Sequence, residues 1–142
     1  MIAIGCDHGG VDLKDYIKCE LVKIGIECKD IGCFDHNAVD YPVQGKLVGK
    51  CVASGECEKG IVICTTGIGI SIAANKVKGV RAALCSDTYS AKMTRLHNDA
   101  NVLALGAGIV GRNLALDIVD TFINTEFSNE QRHKNRVDMI EV

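Results

Sequence analysis

Short apolar runs alternate along the chain with longer stretches in which apolar and charged residues are mixed. The runs that we interpret as buried strands are residues 1–6, 26–31, 60–64, 80–85 and 101–105. The run at 60–64 is apolar throughout, which is typical of a parallel strand when both faces of its sheet are covered. The pattern therefore predicts a parallel sheet of five strands.

The mixed stretches have the spacing of amphipathic helices. Residues 11–24 and 112–124 each place an apolar residue at every third or fourth position, which favours a helix with one buried face. The apolar positions are Leu13, Ile17, Leu21 and Ile24 in the first stretch and Leu114, Ile118 and Phe122 in the second.

Turn and capping residues set the bounds of the other helices. Pro42 suits the first turn of a helix over residues 42–54, and Gly55 suits its end. A short helix is predicted over residues 70–76. The predicted caps are Asp87 or Thr88 for a helix that runs towards residue 97, and Ser128 or Asn129 for a final helix over about 128–141.

The order of these elements predicts the fold. Strands that alternate with helices are typical of a doubly wound α/β protein with a parallel sheet. We therefore predict one Rossmann-like domain over residues 1–142, a three-layer sandwich around a five-stranded parallel sheet.

Composition and charge exclude several classes of protein. The chain has 142 residues, of which 47% are hydrophobic and 24% are charged, with a net charge of −2. Such a chain is globular, and nothing in its charge indicates a nucleic acid or an anionic membrane as a partner. No apolar run reaches the roughly 20 residues that span a bilayer, and the N-terminus lacks the charged leader of a signal peptide. We expect a cytoplasmic protein.

Eight cysteines are present, and no pair has C-x-x-C spacing. A zinc site or a disulfide framework is therefore not predicted. We expect reduced thiols, several of which serve as small core residues, including Cys6 and Cys19.

Ligands of open parallel sheets bind beyond the carboxyl ends of the strands. The loop at 64–71 is the most informative of these ends, because Gly67 and Gly69 allow a close approach of the backbone to a ligand. Amides at the start of the following helix would form an anion hole; the alternative is an ordinary strand-to-helix turn. The other polar strand ends are 7–10, 86–87 and 106–108.

Cys64 and Thr66 are the candidate reactive groups of this loop. A thiol beside a helix N-terminus is more reactive than a free thiol, so Cys64 suits a nucleophile or a general base, with an inert buried cysteine as the alternative. The Thr66 hydroxyl can exchange a proton or simply stabilise the turn.

Further candidates stand elsewhere in the chain. Asp7 and His8 directly follow the first strand, where Asp7 is either a site residue or a helix cap. His97 opens a short polar segment and suits proton transfer from a loop. Arg132 and Arg136 are four apart, so on a helix they share a face and can clamp a phosphate, unless they are only a solvated helix end. These residues predict a site for a phosphorylated small molecule with acid and base groups, but they do not select a reaction.

Longer motifs resemble a known family. The stretches are CDHGG at 6–10, VDYP at 39–42, GIVICTTGIGISIAANKVKGVRAA at 60–83, HNDANVLALG at 97–106 and RHKNRV at 132–137. In this order, along nearly the whole chain, they resemble ribose-5-phosphate isomerase of type B, whose superfamily includes the galactose-6-phosphate isomerase subunits. The resemblance implies an aldose–ketose isomerase that interconverts ribose 5-phosphate and ribulose 5-phosphate through an enediolate, without a metal or organic cofactor.

The resemblance also implies roles for individual residues. It implies Cys64 as the base that moves a proton between C2 and C1, Thr66 as the hydroxyl that moves one between O1 and O2, and His97, with Asp7 nearby, as the group that opens the sugar ring. The implied substrate-binding residues are His8, Arg132 and Arg136 for the phosphate, Tyr41 for the sugar, and Gly67, Gly69, Ser71 and Asn98 for the enediolate and its surroundings.

The family's assembly is implied as well. Its site lies between two subunits, so His97 would reach the Cys64 of a neighbour. A homodimer, which can pair into a tetramer, is expected.

Three departures from the family pattern concern the substrate. Thr65 and Gly108 replace a usual glycine and a usual arginine, and Glu130 and Gln131 replace a Gly-Gly pair. The space left by Gly108 favours, as an alternative, a six-carbon substrate such as allose or galactose 6-phosphate. A non-catalytic sugar-phosphate sensor is a further alternative, against which the intact set of candidate catalytic residues argues.

Overall fold

The computed structural model describes residues 1–141. Its five strands are β1 (Ile2–Cys6), β2 (Cys28–Gly32), β3 (Lys59–Cys64), β4 (Ala82–Leu84) and β5 (Val102–Gly106). They form one sheet in the order β2-β1-β3-β5-β4, and every neighbouring pair is parallel. The predicted five-stranded parallel sheet is confirmed.

Six helices alternate with the strands along the chain, the last two of them after β5. They are α1 (Val11–Lys23), α2 (Tyr41–Ala53), α3 (Ile68–Ala74), α4 (Thr88–Asn98), α5 (Arg112–Asn124) and α6 (Gln131–Ile140), with a 3-10 turn over His8–Gly10. The predicted bounds of α5 are confirmed at both ends. Gly55, with φ +79°, follows α2 as expected, and Asp87 caps α4 by accepting a hydrogen bond from the amide of Ser90.

The helices cover both faces of the sheet, so the structure has three layers. Strand β3 shows the arrangement: Ile61 and Ile63 pack in a core with α1, α4 and α5, whereas Val62 and Cys64 pack in a second core with α2 and α3. Burial of each such aliphatic side chain contributes about 1.5–3 kcal/mol. The uniformly apolar sequence of β3 thus follows from its central position.

Three predicted core residues lie at the surface. Cys19 is exposed, because on α1 it lies two positions from both Ile17 and Leu21 and so points to the opposite side of the helix. Ile24 is 66% exposed, since α1 ends at Lys23 and Ile24 is its C-cap. Leu114 is 39% exposed in the first turn of α5.

The predicted starts of two helices are also wrong. Glu130 occupies the N-cap of α6, and no side chain caps this helix. Asn129 instead has a φ of +58°, and the Ser128 hydroxyl contacts the ring of His133. Helix α3 begins at Ile68 rather than at residue 70, because the left-handed backbone of Gly67 ends the preceding loop.

The state of the cysteines and the character of the helices bear on the predictions about disulfides, metal sites and membranes. All eight cysteines are free, and five of them are buried. Within residues 1–141, no group of three His, Cys, Asp or Glu side chains is arranged to hold a metal ion, and no helix has the length and apolar character needed to cross a bilayer.

A buried ion pair links α1 to the middle of β2. The Lys14 side chain is fully buried, and its Nζ lies 2.9 Å from both carboxylate oxygens of Asp30. Lys18 donates a further hydrogen bond to Asp30 at 3.0 Å. Burial alone would raise the pKa of Asp30, but the hydrogen bonds from Lys14 and Lys18 outweigh it and hold that pKa below its usual value.

Asp30→Asn is therefore expected to lower the free energy of unfolding at neutral pH by about 1.5–3 kcal/mol, because it leaves the buried Lys14 charge with only the exposed Asp15 carboxylate, 3.2 Å from Nζ, as a counter-charge. Since the folded-state pKa of Asp30 is lowered, its stabilisation is present above the unfolded carboxyl pKa of about 4 and is lost as the pH falls through the folded value. Denaturant titrations between pH 3 and about 7 measure both effects. Lys18→Met, which removes only the half-exposed partner, is the milder control; equal stability of Asp30→Asn and wild type would contradict the prediction.

Candidate active site

A crevice opens between β1 and β3 at the carboxyl edge of the sheet. These strands are neighbours, yet α1 and α3, which follow them, pack on opposite faces. Such a switch point is where open α/β sheets bind ligands. Asp7 and His8 line one side of the crevice, and Thr65 and Thr66 line the other.

The Cys64 thiol lies at the base of this crevice. Cys64 is the last residue of β3 and is 5% exposed. The amide of Gly67 donates a hydrogen bond to Sγ at 3.1 Å, an interaction that a negative charge on the sulphur would strengthen. The turn that permits this contact needs glycine, because Gly67 has a φ of +76° and a Cβ there would lie 2.8 Å from the Leu105 carbonyl carbon.

Two backbone amides beside the thiol have no acceptor within residues 1–141, namely those of Gly69 and Ile70 at the start of α3. The amides on either side are occupied: Ile68 donates to Thr66 Oγ1 at 3.3 Å, and Ser71 donates to the Gly67 carbonyl at 3.3 Å. The Ser71 hydroxyl is also occupied within the helix, because it donates a hydrogen bond to the Ile68 carbonyl at 2.7 Å. Ile70 is fully buried, whereas Gly69 is partly exposed, so the available donor for an anion is the Gly69 amide rather than Ser71.

Tyr41 closes one side of this amide pair. It is the first residue of α2, and its ring lies so close to Gly69 that a Cβ at Gly69 would be 2.6 Å from two ring carbons. A side chain at position 69 would therefore displace the tyrosine, which is 42% exposed and available to a ligand.

His8 and Asp7 form the opposite wall. The amide of Val39 donates to Nδ1 of His8 at 3.3 Å, which leaves Nε2 as the ring nitrogen that can donate to a ligand. Asp7 is buried and caps the 3-10 turn by accepting from the Gly9 amide at 2.9 Å, as the capping interpretation of its sequence position predicted. Gln44 lines the same cavity as His8, and its Oε1 is buried without a hydrogen-bond partner in the described part of the chain.

His97 and Asn98 lie at the other edge of the sheet. The prediction of a loop histidine is wrong, because both residues form the last turn of α4, which Asp99 ends with a φ of +46°. The eleven residues of α4 carry the chain about 16 Å back from the carboxyl edge. Arg81, just before β4, donates to the Asn98 carbonyl at 3.0 Å, which places this turn at the amino edge.

Helix α6 brings the predicted arginines to this amino edge. His133 is buried, and its ring contacts that of His97 in a tilted arrangement, with centroids 4.5 Å apart and an interplanar angle of 43°. Ser128 Oγ lies 2.6 Å from Nδ1 of His133, and burial lowers the pKa of His133. Arg132 is exposed and pairs with Glu130 at 2.7 Å; Arg136 is exposed and forms no ion pair among residues 1–141.

The predicted site residues therefore form two groups. A strand of five residues separates the two edges of the sheet by about 16 Å, so a single chain keeps the groups apart. The carboxyl-edge group is Asp7, His8, Tyr41, Cys64, Thr66, Gly67, Gly69 and Ser71, and the amino-edge group is His97, Asn98, Arg132 and Arg136.

Exposed apolar side chains surround the mouth of the crevice. Ile68 and Ile72 are 53% and 56% exposed, and they project one turn apart from α3. Leu84 and Ile109, which are also exposed, flank the adjacent Gly67 and Gly106. We refer to these four residues as the apolar rim. Exposed apolar side chains that cluster in this way are typical of interaction sites.

The whole chain is similar to sugar-phosphate isomerases. It is 48% identical over 139 residues to ribose-5-phosphate isomerase B of Escherichia coli (strain K12), with 98% of this chain and 93% of that protein covered. It is 38% identical over 141 residues to galactose-6-phosphate isomerase subunit LacB of Clostridium acetobutylicum, with 99% of this chain and 82% of the subunit covered. The solved structure of Clostridium thermocellum ribose-5-phosphate isomerase B matches with a TM-score of 0.97 at 56% identity, covering 99% of this chain and 94% of that one.

The family match extends over nearly the same residues as the fold. The family described as Ribose/Galactose Isomerase matches residues 2–140, which confirms the resemblance seen in the sequence motifs. The chain belongs to the ribose/galactose isomerase family and is a sugar-phosphate isomerase.

Proposed function

We propose that the chain, as one domain, interconverts ribose 5-phosphate and ribulose 5-phosphate through an enediolate, in a site assembled from two copies of the chain. The observation that carries the proposal is the buried Cys64 thiol beside the unoccupied amide of Gly69. A base next to an oxyanion site is what proton transfer at a carbon beside a carbonyl requires. The similarity to the Escherichia coli enzyme supports the five-carbon substrate.

In the proposed reaction, the Cys64 thiolate removes the proton from C2 of the open-chain aldose. The electron pair of that C–H bond forms the C1–C2 double bond, and the negative charge moves to O1, where the Gly69 amide stabilises it. Thr66 then moves a proton from O2 to O1, and the thiol returns its proton to C1. The Thr66 hydroxyl suits this role because Oγ1 accepts from the Ile68 amide and so keeps its own proton free to donate.

The partner chain would supply the remaining groups. The apolar rim around the crevice supports contact with a second copy, because its isoleucines would be buried there. His97 of the second copy would then open the sugar ring, held in place by its contact with the buried ring of His133. Arg132 and Arg136 would bind the phosphate together with His8 of the first copy, and Asn98 would contribute a further donor.

Arg136→Ala is expected to weaken binding of ribose 5-phosphate by about 10- to 100-fold, because a charge-assisted hydrogen bond to phosphate contributes about 1.5–3 kcal/mol. Turnover at saturating substrate should change little, since the arginine does not contact the reacting carbons. KM and kcat measured together check this split. Lys134→Ala, an exposed cation on the same helix, is the matched control; a collapse of kcat with unchanged affinity would contradict the phosphate role.

The proposed substrate is tested by comparing three sugar phosphates. Purified protein is incubated with ribose 5-phosphate, allose 6-phosphate or galactose 6-phosphate, and the ketose product is quantified. The proposal expects the highest kcat/KM with ribose 5-phosphate. A higher value with a six-carbon substrate would support the alternative that the similarity to the galactose-6-phosphate isomerase subunit favours, and no turnover of any of the three would overturn the catalytic proposal.

A further inference from the structure

The side chain of Thr65 is wedged between two glycines at the base of the crevice. Its hydroxyl faces Gly9, after β1: a Cβ added to Gly9 would overlap Thr65 Oγ1. Its methyl group faces Gly108, after β5: a Cβ added there would lie 3.2 Å from Thr65 Cγ2 and 3.1 Å from its carbonyl oxygen. One exposed side chain thus borders the loops that follow two further strands, β1 and β5, on either side of its own.

Backbone hydrogen bonds hold this wedge in place. The Gly108 amide donates to the Thr65 carbonyl at 2.8 Å, and the Ala107 amide donates to the Cys64 carbonyl at 2.8 Å. Threonine is branched at Cβ and has few rotamers. The position of the Thr65 hydroxyl relative to the neighbouring Cys64 thiol is therefore well defined.

The Thr65 hydroxyl is available to a ligand. It forms no hydrogen bond within residues 1–141, and Thr65 is exposed in the crevice. Asp7 Oδ1 lies 3.3 Å from the point at which a Gly9 Cβ would stand, and Thr65 Oγ1 lies closer to the same point, so the carboxylate and the hydroxyl face each other across the crevice. Together they match the donors and acceptors of a sugar hydroxyl.

We propose that Thr65 determines substrate specificity in the sugar site. Its hydroxyl binds a sugar hydroxyl, and its volume shortens the site so that a five-carbon chain is preferred to a six-carbon one. This inference rests on the proposed function, in which Cys64 fixes C1 and C2 of the substrate and the arginines fix the phosphate. A sixth carbon must then bulge between the two fixed ends, and Thr65 occupies space beside Cys64 that such a bulge would need.

Three variants distinguish the effect of the Thr65 hydroxyl from the effect of the volume of its side chain. Thr65→Val keeps the shape and removes the hydroxyl, so kcat/KM for ribose 5-phosphate should fall about three- to tenfold. Thr65→Ser keeps the hydroxyl and should stay within about twofold of wild type. Thr65→Gly removes both, and the ratio of kcat/KM for allose 6-phosphate to that for ribose 5-phosphate should rise at least about tenfold.

The close contact between Thr65 and Gly9 is tested by thermal unfolding, which does not depend on enzyme activity. Gly9→Ala should lower the midpoint of thermal unfolding by about 3–10 °C in the Thr65 protein, because the new methyl group meets the hydroxyl. The same change in the Thr65→Gly background should have little effect. Equal effects in both backgrounds would contradict the wedge.

The outcomes distinguish this inference from the proposed function. Wild-type turnover of ribose 5-phosphate tests the function, whereas the order of the three variants and the change in substrate ratio test Thr65. If the wild-type protein turns over none of the sugars, the variants are compared by their dissociation constants for the same sugar phosphates, measured by calorimetry, instead of by kcat/KM. Wild-type values for Thr65→Val together with an unchanged substrate ratio for Thr65→Gly would overturn the inference.

Discussion

Cys64→Ala is expected to lower kcat for ribose 5-phosphate by about 10²- to 10⁴-fold, which is the contribution of a positioned general base, while the sugar phosphate still binds. The geometry supports this expectation, because Cys64 lies at the base of the crevice and its Sγ accepts a hydrogen bond from the Gly67 amide. Turnover is measured as formation of the ketose, and affinity is measured by calorimetry. Incorporation of solvent deuterium at C1 should fall in parallel.

Two other cysteines provide matched controls. Cys6 ends β1 and Cys85 follows β4, and both are as buried as Cys64. Burial raises the pKa of Cys6 to about 12 and that of Cys85 to about 11, so both remain thiols at neutral pH and cannot act as bases there. Cys85→Ala should therefore retain wild-type kcat. Wild-type turnover in Cys64→Ala would exclude Cys64 as the base.

Mixed dimers of two inactive chains are expected to regain about half of the wild-type activity. One chain carries Cys64→Ala, and the other carries His97→Ala with Arg136→Ala. In a symmetric dimer whose sites combine the two edges of the sheet, one site of the mixed dimer receives every defect and the other receives none. Tagging the two chains differently allows the mixed dimer to be purified and its turnover compared with that of each parent.

The parent dimers give the background for this experiment, because each of them has the same defect in both sites. Recovery would demonstrate a shared site directly. A mixed dimer no more active than its parents would show that each site is complete within one chain, which contradicts the proposed assembly. Replacing Ile72 in the apolar rim by glutamate, which places a charge in the proposed interface, should abolish the recovery by preventing dimer formation.

Local signals in the sequence were sufficient for much of the fold. The ends of α5 and the cap of α4 follow from residues that act within a few positions of one another, so their prediction needed no tertiary information. The exposure of Ile24 was not predicted, because it depends on where α1 ends, whereas the exposure of Cys19 follows from its spacing relative to Ile17 and Leu21 and could have been predicted. Likewise β4 is shorter than its apolar run, since the side chains of Asn75 and Asn101 occupy backbone groups at its start.

The candidate site was predictable only in part. The rule for parallel sheets located Asp7, His8 and Cys64 at one edge, because it depends on strand direction alone. The separation of His97 from Cys64 depends instead on the direction and length of α4. His133 was not singled out, since its importance comes from burial against His97, and a histidine within a basic segment carries no sign of that burial.

The wedge of Thr65 constrains the order in which substitutions can accumulate during evolution. As long as threonine occupies position 65, a mutation that adds a side chain at Gly9 or Gly108 meets it and is selected against through lost stability. Replacing Thr65 by glycine first relieves the contacts of its side chain with both positions. Three residues that are distant along the chain therefore form one epistatic unit, and lineages that differ at position 65 are expected to differ at positions 9 and 108 as well.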